Sequence, residues 1–161
     1  MSETLRKILA DALRGEGAHV DPVRAVSNLR AESATLQPAS GVHSAYQLLS
    51  HMVYWQDLIL QAARGEQVSW PASLAEGWKD HSAAEAAANW ASLVARFQAG
   101  VEEAGQLART ADLDQPLANW GDSTVLKALS VLAVHNSYHL GQVVMARQVA
   151  GQWPPPDGGD T

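Results

Sequence analysis

Apolar residues recur along most of the chain at intervals of three and four, the period of a helix, and nowhere alternate as in a half-buried strand. Leu5, Ile8, Leu9, Ala12 and Leu13 form a first stripe that predicts a helix over residues 3–15, ended by Gly15 and Gly17. Asp21-Pro22 offers an N-cap followed by proline at the first helical position, so a brief helix is expected over 22–29. Pro38 and Gly41 mark the next break. Ser44 with Gln47 reads as a capping box before a second long helix, whose stripe is Leu48, Met52, Trp55, Ile59 and Ala62. That helix should stop near Arg64-Gly65. A third long helix opens at Ser82 with Glu85 three residues on, and turns Trp90, Leu93, Val94, Phe97, Val101 and Leu107 inward. The fourth starts around Asp122-Ser123 and runs to about Ala150, where Gly151 and the run Trp153-Pro154-Pro155-Pro156 cannot continue it.

Four long helices without strands predict an all-α four-helix bundle, one domain over 1–153 with a loose C-terminal tail over 154–161. The connection from 65 to 81, which contains Trp70-Pro71 and Gly77-Trp78, is long for antiparallel neighbours. A crossover between the second and third long helices, running from one end of the bundle to the other, explains its length. The 161 residues fit a single domain, and 47% hydrophobic with 17% charged residues is a globular balance, not a disordered one. The chain has no cysteine, which excludes a disulfide, a thiolate metal site and a cysteine nucleophile. A thiol in the chemistry must arrive with a substrate. The net charge of −6, with no cluster of lysine and arginine, argues against a nucleic-acid partner. No stretch approaches the ~18 apolar residues of a membrane span, and the first residues lack the apolar run of a signal peptide, so a cytoplasmic location is expected.

The chemistry concentrates in Val134-His135-Asn136-Ser137-Tyr138-His139-Leu140-Gly141-Gln142. Histidines four apart lie on one helix face, separated by about 6 Å along the axis, close enough for two imidazoles to reach one ion. Leu129, Leu132 and Val143 lie at nearby angles, which turns the pair inward. His51 sits beside the apolar stripe of the second long helix, one turn from Leu48 and from Trp55. Three imidazoles with one or two waters are a set that a catalytic Zn²⁺ or Ni²⁺ accepts. The competing reading is ordinary, since a single inward histidine is more often a satisfied core residue than a ligand. A zinc peptidase is excluded: its His-Glu-x-x-His motif needs a base where this chain has Asn136.

With these residues in view, the chain resembles the DinB/YfiT-like family of metalloenzymes over nearly its whole length. The likeness is carried by Gly41-Val42-His43-Ser44 leading into Leu48-Leu49-Ser50-His51-Met52, by His135 to Gln142, and by Arg147 and Trp153-Pro154-Pro155. The resemblance implies that His51, His135 and His139 are the metal triad, that the bundle runs up-down-down-up, and that the protein is a homodimer. It also implies a transferase that uses a low-molecular-weight thiol of the bacillithiol, mycothiol or glutathione type on a small-molecule substrate. The alternatives are a metal-dependent hydrolase and a non-catalytic metal-binding stress-response protein.

Around the triad, Gln56, Asp57, Asn136 and Gln142 lie within two turns and are candidate partners for the imidazoles' outer nitrogens. Tyr54, Tyr138 and Arg147 are the candidate substrate-binding residues; packing is the alternative for the tyrosines, and a surface partner for the arginine. His19, His43 and His81 fall in loops or near helix starts, where solvated or capping roles are commonest. The six tryptophans are expected to serve packing, with Trp153 folding back or meeting a second subunit.

Overall fold

The computed structural model describes residues 2–156. It contains six helices: α1 (Glu3–Arg14), α2 (Pro22–Val26), α3 (Ala31–Ala34), α4 (Ala45–Ala63), α5 (Ala83–Thr110) and α6 (Val125–Val149), with one 3-10 turn, Leu74–Gly77. No strand forms among the described residues. The helices start where polar caps dictate. Ser44 and Ser82 each accept from a backbone N–H three residues on, and Gln47 and Glu85 reach back to complete both capping boxes. Two expectations shift. The brief helix over 22–29 ends at Val26 and is followed by the single turn of α3, and the last helix begins after Thr124, whose hydroxyl accepts from Lys127 N–H.

The register of the long helices follows from their contacts. Arg6 reaches carbonyls at the end of α5 (Ala108, Arg109 and Ala111), while Arg14 lies against Glu102, so α1 and α5 are antiparallel. Tyr46 meets Trp90, Gln56 meets Phe97 and Arg64 meets Glu103, so α4 and α5 run parallel. Leu48 shares a groove with Met145 and Ile59 shares another with Val131, so α4 and α6 are antiparallel. The order is therefore up-down-down-up, and the crossover between α4 and α5 must travel the length of the bundle. Gly100 lets α4 and α5 approach closely: a Cβ there would lie 2.0 Å from Gln56 Nε2.

The core falls into two apolar clusters. One joins α2, α3 and the first half of α4 to Phe97, Leu140 and Val143; the other joins α1 and the second half of α4 to Leu113, Leu129 and Leu132. Between them lie buried polar side chains: His51, Gln56, Asn136 and His139. A polar layer inside a bundle needs partners, because an unsatisfied buried group costs about 1–3 kcal/mol. The expected loose tail lies largely outside the described residues; of its described part, Pro155 is buried.

Candidate metal centre

His51 on α4 and His135 and His139 on α6 converge at the seam between the two clusters. One ring nitrogen from each lies within 4.8 Å of the others, and His135 Nε2 stands 3.2 Å from His51 Nε2. Antiparallel packing of α4 on α6 produces this meeting, since it brings position 51 level with the 135–139 turn.

Burial, then the neighbouring His139 and His135, pushes the His51 imidazole down to about 4, and burial with His139 does the same for His135. His139 is lowered by burial, opposed in part by its bond to Gln142. All three rings are therefore neutral at pH 7, the form in which imidazole has a lone pair to offer.

The outer nitrogens face uncharged groups. His139 Nδ1 is 2.6 Å from Gln142 Oε1. His135 Nδ1 lies near the Asn136 amide, and His51 Nδ1 near the backbone of Gly77, neither in regular hydrogen-bond geometry. Gly77 is required there: a Cβ would sit 2.9 Å from His51 Nδ1 and 2.6 Å from Trp55 Nε1. On its open side the indole of Trp78 lies flat against His51, with centroids 3.8 Å apart, and its other face covers His43 at 3.9 Å.

The DinB superfamily pattern matches residues 20–143, a span that includes α4, α5 and all three histidines. The chain belongs to the DinB superfamily. No curated protein and no solved structure matches it. In this DinB-superfamily chain the three histidines border a cleft of about 580 Å³. Its walls are mostly Trp55 and Ile59 from α4, Trp70 and Trp78 from the crossover, Trp120 from the α5–α6 connection and Val131 from α6. Among the described residues, none that lines it is Asp, Glu, Lys or Arg.

The three candidate substrate residues lie elsewhere. Positions 51, 55 and 59 share the cleft face of α4, and Tyr54, a turn of about 100° away from Trp55, lines a separate groove with Lys79 over its ring. Tyr138 is exposed and meets His139 only edge-on, outside the cleft. Arg147 corrects the surface reading. It is 1% exposed, and its guanidinium donates to the carbonyls of Ala25, Ser27 and Gln152 beneath the Trp153 ring, so Trp153 does fold back. Of the candidate partners, Gln142 and Asn136 stand beside the triad, Gln56 donates to Phe97 O, and Asp57 pairs with Arg96 on the surface. His19 bridges Ser137 and Val20 O, and His81 meets Tyr46 edge-on.

Periodicity passed over Trp70, Trp78 and Trp120 because they sit in connections. Tryptophan in a connection, where there is no helix face to fill, is the signal that identifies them.

Proposed function

We propose that His51, His135 and His139 hold one divalent ion, Zn²⁺ or Ni²⁺, and that the chain uses it as a transferase acting on a small molecule with a low-molecular-weight thiol. The separation of His51 Nε2 from His135 Nε2, 3.2 Å, carries this reading. Two nitrogens bound tetrahedrally at Zn–N distances of about 2.0–2.1 Å stand about 3.3 Å apart. Without an ion, neutral rings can share only one proton between those two atoms, and a buried ring nitrogen is stranded whichever tautomers form. With an ion, both Nε2 lone pairs have a partner and each Nδ1–H turns outward. Gln142 Oε1 already accepts from His139 Nδ1, which fixes that tautomer and points Nε2 inward.

When bound, a divalent ion supplies Lewis acidity toward a fourth ligand, here a thiol. The chain's own contribution is positional. The three neutral imidazoles leave the ion's charge uncompensated, and the apolar walls exclude water. Among the described residues no carboxylate or lysine lines the cleft to act as a base, which supports a nucleophile activated at the ion. A second copy belongs to the same proposal: Val134, Tyr138, Met145 and Val149 form an exposed apolar row on one face of α6, and the molar mass in solution tests it.

The decisive experiment is metal analysis of protein purified without a histidine tag, followed by Zn²⁺ titration of the wild type, His139→Ala and Gln142→Leu. One equivalent should bind, with affinity reduced at least ~100-fold by His139→Ala and ~10–100-fold by Gln142→Leu. Thiol-dependent turnover of an electrophile should then follow the metal. Turnover independent of thiol would replace the transferase with a hydrolase, metal without turnover would leave a binding role, and absence of metal would sink the whole reading.

A further inference from the structure

Four of the six tryptophans converge on one cleft, and they come from three separate segments of chain. Trp55 arrives on α4, Trp70 and Trp78 on the crossover and Trp120 on the α5–α6 connection. The two connections are built toward each other. Asn119 accepts from Val68 N–H at 3.2 Å and donates to Val68 O at 2.6 Å. Trp70 Nε1 donates to Asn119 O at 3.0 Å, and the Trp70 and Trp120 rings meet with centroids 4.7 Å apart. This wall is held by side chains reaching across sequence separations of about fifty residues. Closing a loop of that kind costs entropy, yet it leaves a cavity instead of filling one.

Charge is missing from the same place. The chain has 11 lysines and arginines and 17 aspartates and glutamates, and among the described residues none of them lines the cleft. A charged ligand body entering it would lose water and gain no partner, a transfer that costs several kcal/mol per charge. A flat apolar body meets indole rings, which favour offset and edge-on contacts; Trp78, covered on both faces by His51 and His43, offers its edge. Size agrees. A cavity of about 150 Å³ holds benzene, so about 580 Å³ accommodates two or three fused rings beside the imidazoles.

We infer that this cleft is the binding slot for a neutral aromatic substrate body of about two fused rings, held by Trp55, Trp70, Trp78 and Trp120 with its reactive atom toward the three histidines. The inference rests on the proposed function only for the reactive end; the slot itself is a property of the walls. It assigns the cleft to the acceptor molecule. The polar, charge-bearing part of a small thiol meets no charged side chain among the described residues of the cleft and stays outside.

The test uses ¹⁵N-labelled wild-type protein stripped of metal with a chelator. Three probes share one ring system: 1-naphthalenemethanol, 1-naphthoate and protonated 1-naphthylmethylamine. The neutral alcohol is expected to shift the indole N–H signals of the four cleft tryptophans and to spare Trp90 and Trp153, which lie elsewhere. It should bind at least ~10-fold more tightly than either charged analogue. Leu74 is 77% exposed on the rim, so Leu74→Lys should leave the fold intact and raise naphthoate affinity ~3–10-fold. Equal or tighter binding of a charged analogue by the wild type, shifts confined to Trp90 and Trp153, or no saturable binding would overturn the slot. Zn²⁺ is then titrated into the same sample. Naphthalenemethanol binding without Zn²⁺ binding removes the proposed function and keeps the slot, and Zn²⁺ binding without the alcohol does the reverse.

Discussion

Arg147 carries a full positive charge into the interior, where burial lowers its pKa but leaves a guanidinium charged. Its partners are three backbone carbonyls: Ala25 at 2.6 Å, Ser27 at 2.9 Å and Gln152 at 3.1 Å. One side chain thus ties the end of α6 to α2, to the α2–α3 connection and to the segment after the helix. Replacing it with methionine keeps the stem but strands those carbonyls. Arg147→Met is expected to cost about 2–4 kcal/mol in urea unfolding while Zn²⁺ affinity in the folded protein stays within about twofold. A large drop in metal affinity with stability unchanged would return the residue to the functional site. Gly77 poses the opposite case, a position where one added carbon acts on chemistry more than on folding. The Cβ of Gly77→Ala would press on His51 Nδ1 and Trp55 Nε1. The expected result is a Zn²⁺ affinity lowered ~10-fold or more, read by calorimetry, with helicity unchanged by circular dichroism.

At the scale of elements, the helices position the imidazoles and the connections make the cleft. Asn119 acts as a clamp between the crossover and the α5–α6 connection, its side-chain amide oxygen accepting from Val68 N–H and its amide nitrogen donating to Val68 O. Asn119→Ala removes two hydrogen bonds from a half-exposed junction and is expected to cost about 1–2 kcal/mol overall. Its local effect should be larger. Amide exchange of the 65–81 and 111–124 segments should accelerate while α4 and α6 keep their protection. Uniform acceleration through all four long helices would show that the connections are not a separable unit. Capping boxes, by contrast, are local devices, and those at Ser44 and Ser82 form as their spacing predicts because each bond spans only three residues.

Across the whole molecule, the two apolar clusters supply stability and the polar layer between them makes it depend on pH. In the folded, metal-free chain His51 and His135 hold their protons only below about pH 4, against an ordinary value of 6.5. The unfolded chain therefore binds more protons than the folded one between those limits. Linkage then requires stability to be fully present above about pH 6.5, to fall as the pH drops toward 4, and to level off below. Urea midpoints of chelated protein at pH 7.5 and pH 5 measure it, with a clearly lower midpoint at pH 5 and a shallower dependence in His135→Ala. Identical wild-type midpoints would mean that the imidazoles are not held neutral by the fold.

Much of this was legible in one dimension, wherever the governing interaction is short in sequence. The stripes Leu48-Met52-Ile59 and Trp90-Phe97-Val101, the serine caps and the inward turn of His135 with His139 all follow from a period of 3.6 residues. The length of the 65–81 connection already required α4 and α5 to run parallel, because a chain must travel back along the bundle to achieve it. Burial of Arg147 and convergence of four tryptophans were decided only by tertiary structure. Each depends on groups far apart in the chain: Arg147 on Ala25, Trp70 on Asn119, and Trp55 on Gly77. Contacts of that range leave no periodic trace, and a side chain in a connection takes its direction from whatever the fold brings beside it.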